Sequence, residues 1–371
     1  MTTEHAGHSA TSPDGDRRAV HARATWTRSY DGLVVIAVGL SLALWVASGV
    51  PLTPIRPWVF DHLRQLSLFL GIGLVSLACL RFAIGVSRFG RVRGRWVRAL
   101  AARHIGWRRI KEAWRYVLAF IVVITVHTSI KQAIPLISPG TTDDALIRVE
   151  KAVHLGFNPA WDLRFNLAHP WVTVFLDAAY FLWFPGMPLV TAYFMSHRDP
   201  RKRDHYLRSF MAIWIIGVMI GLAAPSHGPC YVSPGEFPSP GMDIARMLQT
   251  LVWEQYVATR EITLTGLGNL KLGCGLMAMP SMHLTVCCLY AVFFWNEGKW
   301  LRRISVAYAL VIFLGSLYSG WHYAIDGYAG LVIAWLTARW TAQRALPTAR
   351  SVSADPATLS SRVLGRATET A

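Results

Sequence analysis

The sequence predicts an all-α, polytopic membrane protein of about eight transmembrane helices. Three observations carry that expectation. Of 371 residues 53% are hydrophobic and only 16% charged, with a mean hydropathy of +0.34, too apolar for a soluble chain. Apolar stretches long enough, or nearly long enough, to cross a bilayer recur along the chain. Lys and Arg are segregated among the loops between those stretches.

Eight stretches qualify as spans: 32–50, 66–86, 114–134, 170–195, 207–224, 282–296, 301–318 and 323–340. The first follows a polar leader, residues 1–31, so no cleavable signal peptide is expected. Pro185, Gly186 and Pro188 should kink the fourth, and the sixth is short. With the N-terminus in the cytoplasm, loops 1–31, 82–115, 196–208, 296–303 and 339–371 hold 27 Lys and Arg, and the opposite loops hold eight. This positive-inside asymmetry puts both termini in the cytoplasm of a cell with the protein in its inner membrane. The net charge of +16 is then a topology signal, and no nucleic-acid partner is expected. The run from Arg88 to Arg115, with Trp96, Trp107 and Trp114 interleaved, reads as a segment lying on anionic headgroups. Four regions follow: a disordered cytoplasmic N-terminus (1–31), a two-helix addition with a basic loop (32–113), a core of six spans (114–340) and a disordered cytoplasmic tail (341–371).

Chemistry concentrates at one face. Pro280-Ser281-Met282-His283 stands at the mouth of the sixth span, and His322-Tyr323-Ala324-Ile325-Asp326 at the mouth of the eighth, both extracytoplasmic in this topology. Intramembrane ionisable groups of this kind are functional candidates. If His322 and Asp326 share the first turn of the last helix, their side chains meet. The carboxylate then fixes the tautomer of His322, whose other nitrogen is a nucleophile, while His283 moves a proton as general acid and base. Ser281 and the free N–H groups at its helix start suit phosphate oxygens. The same two His and Asp could instead hold zinc, although HExxH is absent.

Other residues read less sharply. Lone histidines at membrane boundaries, His127, His154, His169 and His197, are most simply interfacial polar groups. Asp177, with Tyr180 nearby, could contact a substrate hydroxyl or pair with Lys131, but a structural interhelical hydrogen bond is the favoured reading. The stretch 141–168, with Trp161 and Phe165, reads as an amphipathic helix resting on the outer leaflet and admitting lipid laterally. The loop 225–281 is long and rich in Pro and Gly, hence functional or mobile. Cys230 and Cys274 near its ends could form a disulfide or be two unrelated thiols. Cys79, Cys287 and Cys288 fall in spans and read as small buried hydrophobes.

Pro280-Ser281-Met282-His283, followed by Tyr318-Ser319-Gly320-Trp321-His322-Tyr323-Ala324-Ile325-Asp326-Gly327, resembles the second and third signature motifs of the type 2 phosphatidic acid phosphatase superfamily. The HYxxD form looks like its inositol phosphorylceramide synthase branch of inositolphosphotransferases. The resemblance covers about 114–340 and implies a six-helix catalytic core. It also implies a metal-independent enzyme without cofactor that moves a phosphorylated headgroup, such as phosphoinositol, from a phospholipid donor to a hydroxyl-bearing lipid through a phosphohistidine. Two other functions remain open: a lipid phosphate phosphatase with water as acceptor, and a non-catalytic membrane protein or transporter. The sequence departs from the family at the first motif, where a Lys-x6-Arg-Pro pattern is replaced by Ala224-Pro225-Ser226-His227-Gly228-Pro229-Cys230-Tyr231. The Arg expected six residues before His322 is Ser316. A phosphoryl-transfer site needs charge neutralisation, and the candidates by topology are Lys131, His227, Arg64 and Lys271.

Overall fold

The computed structural model describes residues 32–44, scattered positions between 46 and 75, and 107–343 apart from 139, 196, 198, 238–240 and 261–274. Most of the expected second span, the basic run up to residue 106, both chain ends, Lys271 and Cys274 lie outside the described residues. The described residues form twelve helices and no strand. They are α1 (Gly32–Leu44), α2 (Trp107–Ile137), α3 (Asp143–Val153), α4 (Pro159–Asn166), α5 (Pro170–Phe181), α6 (Trp183–Met195), α7 (Pro200–Ala223), α8 (Pro229–Val232), α9 (Asp243–Arg260), α10 (Met282–Phe294), α11 (Lys299–Tyr318) and α12 (Ala324–Gln343).

The chain is an all-α membrane protein. The Leu118–Ile137 part of α2, α7 and α11 are each long and apolar enough to cross a bilayer, and α5 with α6 makes a fourth crossing if the bent pair is one span. The two halves of that pair meet at 41°. Pro185 accounts for the break, because its ring clashes with the carbonyl four residues earlier, that of Phe181, where α5 ends. Helices α1 and α10 are apolar but short. Several helices open with proline in the first turn after a residue that leaves the helix: Asn158-Pro159, His169-Pro170 and Asp199-Pro200, the order helix starts favour. Asp199 completes its cap by accepting a 2.9 Å hydrogen bond from Arg201 N.

Lipid-facing surface is visible as exposed apolar side chains, among them Trp171, Phe175, Ile304, Leu310, Leu331 and Leu336. Helix α10 sits at the centre, packed on α6, α7, α11 and α12. Its closest partner is α12, and two glycines set the approach. A Cβ on Gly330 would lie 2.6 Å from Thr285 Oγ1 and 3.0 Å from Ser281 O, and one on Gly327 would meet the Phe313 ring at 2.6 Å and Leu284 at 2.9 Å. Small residues let membrane helices meet backbone to backbone. The approach matters because His283 is in the first turn of α10 and α12 starts just past His322.

One expectation needs correction. The segment 225–281 is not merely loop: it contains α9, eighteen residues long, packed on α2 and α5. The stretch 141–168 forms α3 and α4. On α3 the acids Asp143 and Glu150 point into the protein, at 4% and 0% exposure, while the outward side mixes Asp144, Arg148 and Lys151 with Val149 and Val153.

The glycine contact gives a direct test. Gly330→Val should lower the thermal midpoint in detergent by an amount corresponding to about 1–3 kcal/mol, the usual cost of overpacking. Gly186→Ala, where nothing lies within 4 Å, should leave the midpoint unchanged or raise it slightly in the same unfolding measurement.

Candidate active site

The site is assembled where three connecting segments meet above α10 and α12. The first, Pro225–Cys230, is the place of the degenerate first motif. Its carbonyls and N–H groups are almost all spoken for. Pro225 O accepts from Thr142 N at 2.7 Å, Ser226 O accepts from Ala278 N and Ser226 Oγ from Met279 N, both at 2.9 Å, and Cys230 N donates to Gly320 O at 2.8 Å. Gly228 has φ +97°, and a Cβ there would stand 2.5 Å from Trp321 O, so only glycine fits the turn. The Asp143 carboxylate accepts from His227 N (2.9 Å), Gly228 N (3.0 Å) and Tyr323 Oη (2.9 Å). One buried acid therefore ties the first segment to the third.

The second segment ends in Ser281, which caps α10: its hydroxyl accepts from Leu284 N at 3.4 Å. Ser281 is fully buried and, unlike His283, lies outside the cavity wall. The third segment carries His322, just before α12 rather than on its first turn. Asp326 is on that turn, and its Oδ2 accepts from Tyr323 N at 2.9 Å, the reaching-back half of a capping box. His322 Nδ1 stands 3.5 Å from Asp326 Oδ2 and 2.9 Å from the carbonyl of Ala278. The backbone carbonyl is thus the nearer acceptor. Both contacts require a proton on Nδ1, which leaves Nε2 with its lone pair. Ser316, standing where the resemblance expects Arg, is buried, and its carbonyl accepts from Trp321 N at 2.9 Å.

His322 and His283 line one cavity of about 400 Å³, their ring centroids 6.1 Å apart. One phosphoryl group between them can touch both. His283 is held between Tyr180 (4.7 Å) and Trp183 (4.3 Å) by ring packing. Tyr180, Lys131 and His227 line the same cavity. Arg64 does not, and Asp177 is occupied elsewhere: its carboxylate accepts from Ile244 N (3.1 Å) and Ala245 N (2.9 Å), capping the start of α9. This is the structural reading of Asp177, with the backbone of α9 as partner rather than Lys131. Cys230 is buried and has no disulfide partner among the described residues; the proposed pairing with Cys274 lies outside them.

Five polar atoms of the lining have no hydrogen-bond partner: Trp214 Nε1 farther down and, at the end that holds the histidine pair, Tyr180 Oη, His227 Nε2, His283 Nε2 and Trp321 Nε1. Leaving such groups dry costs about 1–3 kcal/mol each, so this end suits a ligand rich in hydrogen-bonding oxygens. Away from it the wall is apolar, running down α2 to Phe120 and down α6 to Met187 and Pro188. From Lys131 to Phe120 along α2 is about 16 Å at 1.5 Å per residue. Burial pushes the imidazole of His227 below its usual range, with the Asp143 carboxylate opposing and Arg260 adding to the shift. Lys131 is therefore the better source of positive charge near neutral pH. No group of three or more His, Cys, Asp or Glu among the described residues could hold a metal ion.

Sequence reasoning did not single out Asp143 or Glu150, and it read His127 as an interfacial polar group. Glu150 Oε2 accepts from Ile325 N at 3.3 Å, in the first turn of α12, and its Oε1 has no partner. The signal for both acids was present: two carboxylates seven residues apart lie on one face of a helix.

A family model described as the PAP2 superfamily matches residues 144–340, from the first turn of α3 to the last turns of α12. Neither a curated protein nor a solved structure gives a match.

Burial raises the Glu150 carboxyl to about 7, with the Ile325 N–H pulling the other way and Asp326 adding to the rise. A carboxyl whose folded value exceeds its unfolded value favours the fold at low pH and loses that contribution as pH rises through the folded value. Thermal stability should therefore decline between about pH 5 and pH 8, and Glu150→Gln should flatten that part of the profile, as read by unfolding midpoints across the range.

Proposed function

The chain belongs to the PAP2 superfamily, and from that premise we propose that it is a membrane lipid phosphotransferase working through a phosphohistidine on His322. Membership supports a function of the phosphatase and phosphotransferase type. The observation that carries the finer reading is the polarity of the cavity: two histidines, Lys131 and unpartnered donors at one end, and an apolar shaft along α2 and α6 at the other. A lipid phosphate has that polarity. Loss of both first-motif cations favours the transferase branch, with phosphoinositol as one headgroup of that chemistry, over a phosphatase that hands the group to water.

The steps follow from the residues. Nε2 of His322 attacks phosphorus while the bond to the leaving oxygen breaks, and His283, entering protonated, delivers a proton to that oxygen. His283 then takes the proton of an acceptor hydroxyl, whose oxygen displaces Nε2 and regenerates His322. Asp326 and the Ala278 carbonyl hold Nδ1–H throughout and stabilise positive charge as it develops on the ring. Lys131, the helix-start N–H groups of α10 and the orphaned donors compensate charge on the equatorial oxygens. Phospholipid is the donor, a hydroxyl-bearing lipid the acceptor, and the site faces the extracytoplasmic side with both termini in the cytoplasm.

His322→Ala should leave less than about a hundredth of wild-type turnover, since nucleophilic and acid–base contributions are each at least of that size. Asp326→Asn should lower turnover strongly while the protein stays folded. The measurement is purified chain with labelled phospholipid, separating free phosphate from new phospholipid. New phospholipid supports transfer, and free phosphate alone moves the assignment to a phosphatase.

Activity should also survive dialysis against EDTA, and vanadate, which adopts the geometry of a transferring phosphoryl group, should inhibit. Loss with EDTA and recovery on adding zinc would sink the phosphohistidine route.

A further inference from the structure

The apolar shaft contains one polar interruption. His127, on α2 one turn from Lys131, is 4% exposed and lines the cavity. Its Nδ1 stands 3.0 Å from the backbone carbonyl of Trp214. A carbonyl can only accept, so the imidazole proton is on Nδ1, and in the neutral ring Nε2 keeps its lone pair. Trp214 lines the same stretch, 7% exposed, with its ring edge-on to His127 at 4.6 Å, and its Nε1–H has no hydrogen-bond partner. An unpartnered indole N–H and an imidazole lone pair thus belong to two rings in edge-on contact in an otherwise apolar wall. Thr128 does not share this role, since its hydroxyl donates to Ile124 O at 2.9 Å.

A buried donor next to a buried acceptor is costly when neither is used. A ligand group that both accepts and donates removes both costs at once, and a hydroxyl is the smallest neutral group that does. A carboxylate or phosphate cannot donate to His127, and an ammonium cannot accept from Trp214. Residues four apart on a helix present side chains about 6 Å from one another, so a phosphate near Lys131 puts this pair within a few bonds along the lipid. We infer that His127 and Trp214 form a recognition subsite for a free hydroxyl, one that is not itself phosphorylated, carried by the lipid close to its phosphate. The inference rests on the phosphotransfer reading only for the position of the phosphate.

The test compares 1-oleoyl-lysophosphatidic acid, which has a free hydroxyl on the second glycerol carbon, with its 2-deoxy analogue, using the full chain in nanodiscs that also contain diacylglycerol as a hydroxyl-bearing lipid acceptor. The wild-type protein should prefer the hydroxylated lipid by about tenfold in kcat/KM for phosphoryl removal, the value of one well-made hydrogen-bond pair. His127→Phe, which keeps a ring and removes the acceptor, should bring that ratio close to one. Trp214→Phe removes the donor by an independent change and should also reduce it. His127→Gln, which can donate to the Trp214 carbonyl and still present an oxygen, should retain part of the preference. The same ratio is read as Kd on the His322→Ala protein, where no turnover occurs. A wild-type ratio near one in both measurements, or a preference unchanged in both His127→Phe and Trp214→Phe, overturns the subsite. Selective binding without phosphoryl removal by the wild type overturns the phosphotransfer reading and leaves the subsite standing.

Discussion

The carboxylate of Asp143 holds the site together. It takes hydrogen bonds from two adjacent backbone N–H groups of the first segment, at His227 and Gly228, and from the hydroxyl of Tyr323 beside His322. The rest is linked in series. Ser226, next to His227, receives the N–H groups of Ala278 and Met279, and the carbonyl of Ala278 receives Nδ1 of His322. The orientation of His322 is thus fixed by a chain of bonds that begins on α3 and passes through the segment where the motif cations are missing. That segment keeps a structural role without them.

Packing and electrostatics act on the same atoms. The close contact of α10 with α12, permitted by Gly327 and Gly330, sets the separation of His283 from His322 and lets Ser281 N donate to Asp326 O at 3.1 Å. Glu150 caps the first turn of α12 from the other side. Acids therefore gather behind His322, on the Nδ1 side, and Lys131 stands in the cavity wall. An imidazole held this way has its acceptors on one side and an open lone pair on the other. In a low-dielectric interior such fixed dipoles act more strongly than they would in water.

Much of this arrangement was legible in the sequence, and the exceptions share a cause. His283, His322 and Asp326 could be placed together because each stands at a span boundary on the same face. Pro185 and its neighbours announced the bend between α5 and α6. Lys131 and His227 were picked out by topology and Tyr180 as a neighbour of Asp177, and the structure brings the three to one cavity. Asp143, Glu150 and α9 were legible only as helical periodicity, which shows that a helix has two faces but not which faces inward. His127 was hidden for a simpler reason: one histidine in a span has no pattern, and only the carbonyl of Trp214 reveals its tautomer. Asp177 shows the converse, a residue with a functional look whose carboxylate is used up on the start of α9.

The burial of both α3 acids bears on how the protein is made. Asp143, at the start of α3, takes hydrogen bonds from His227, Gly228 and Tyr323, and Glu150 takes one from Ile325. Tyr323 and Ile325 are synthesised near the end of the chain. During biogenesis the two carboxylates cannot reach all their final partners until the start of α12 has been made. The site is consequently completed late, and a chain released before α12 emerges has no assembled centre.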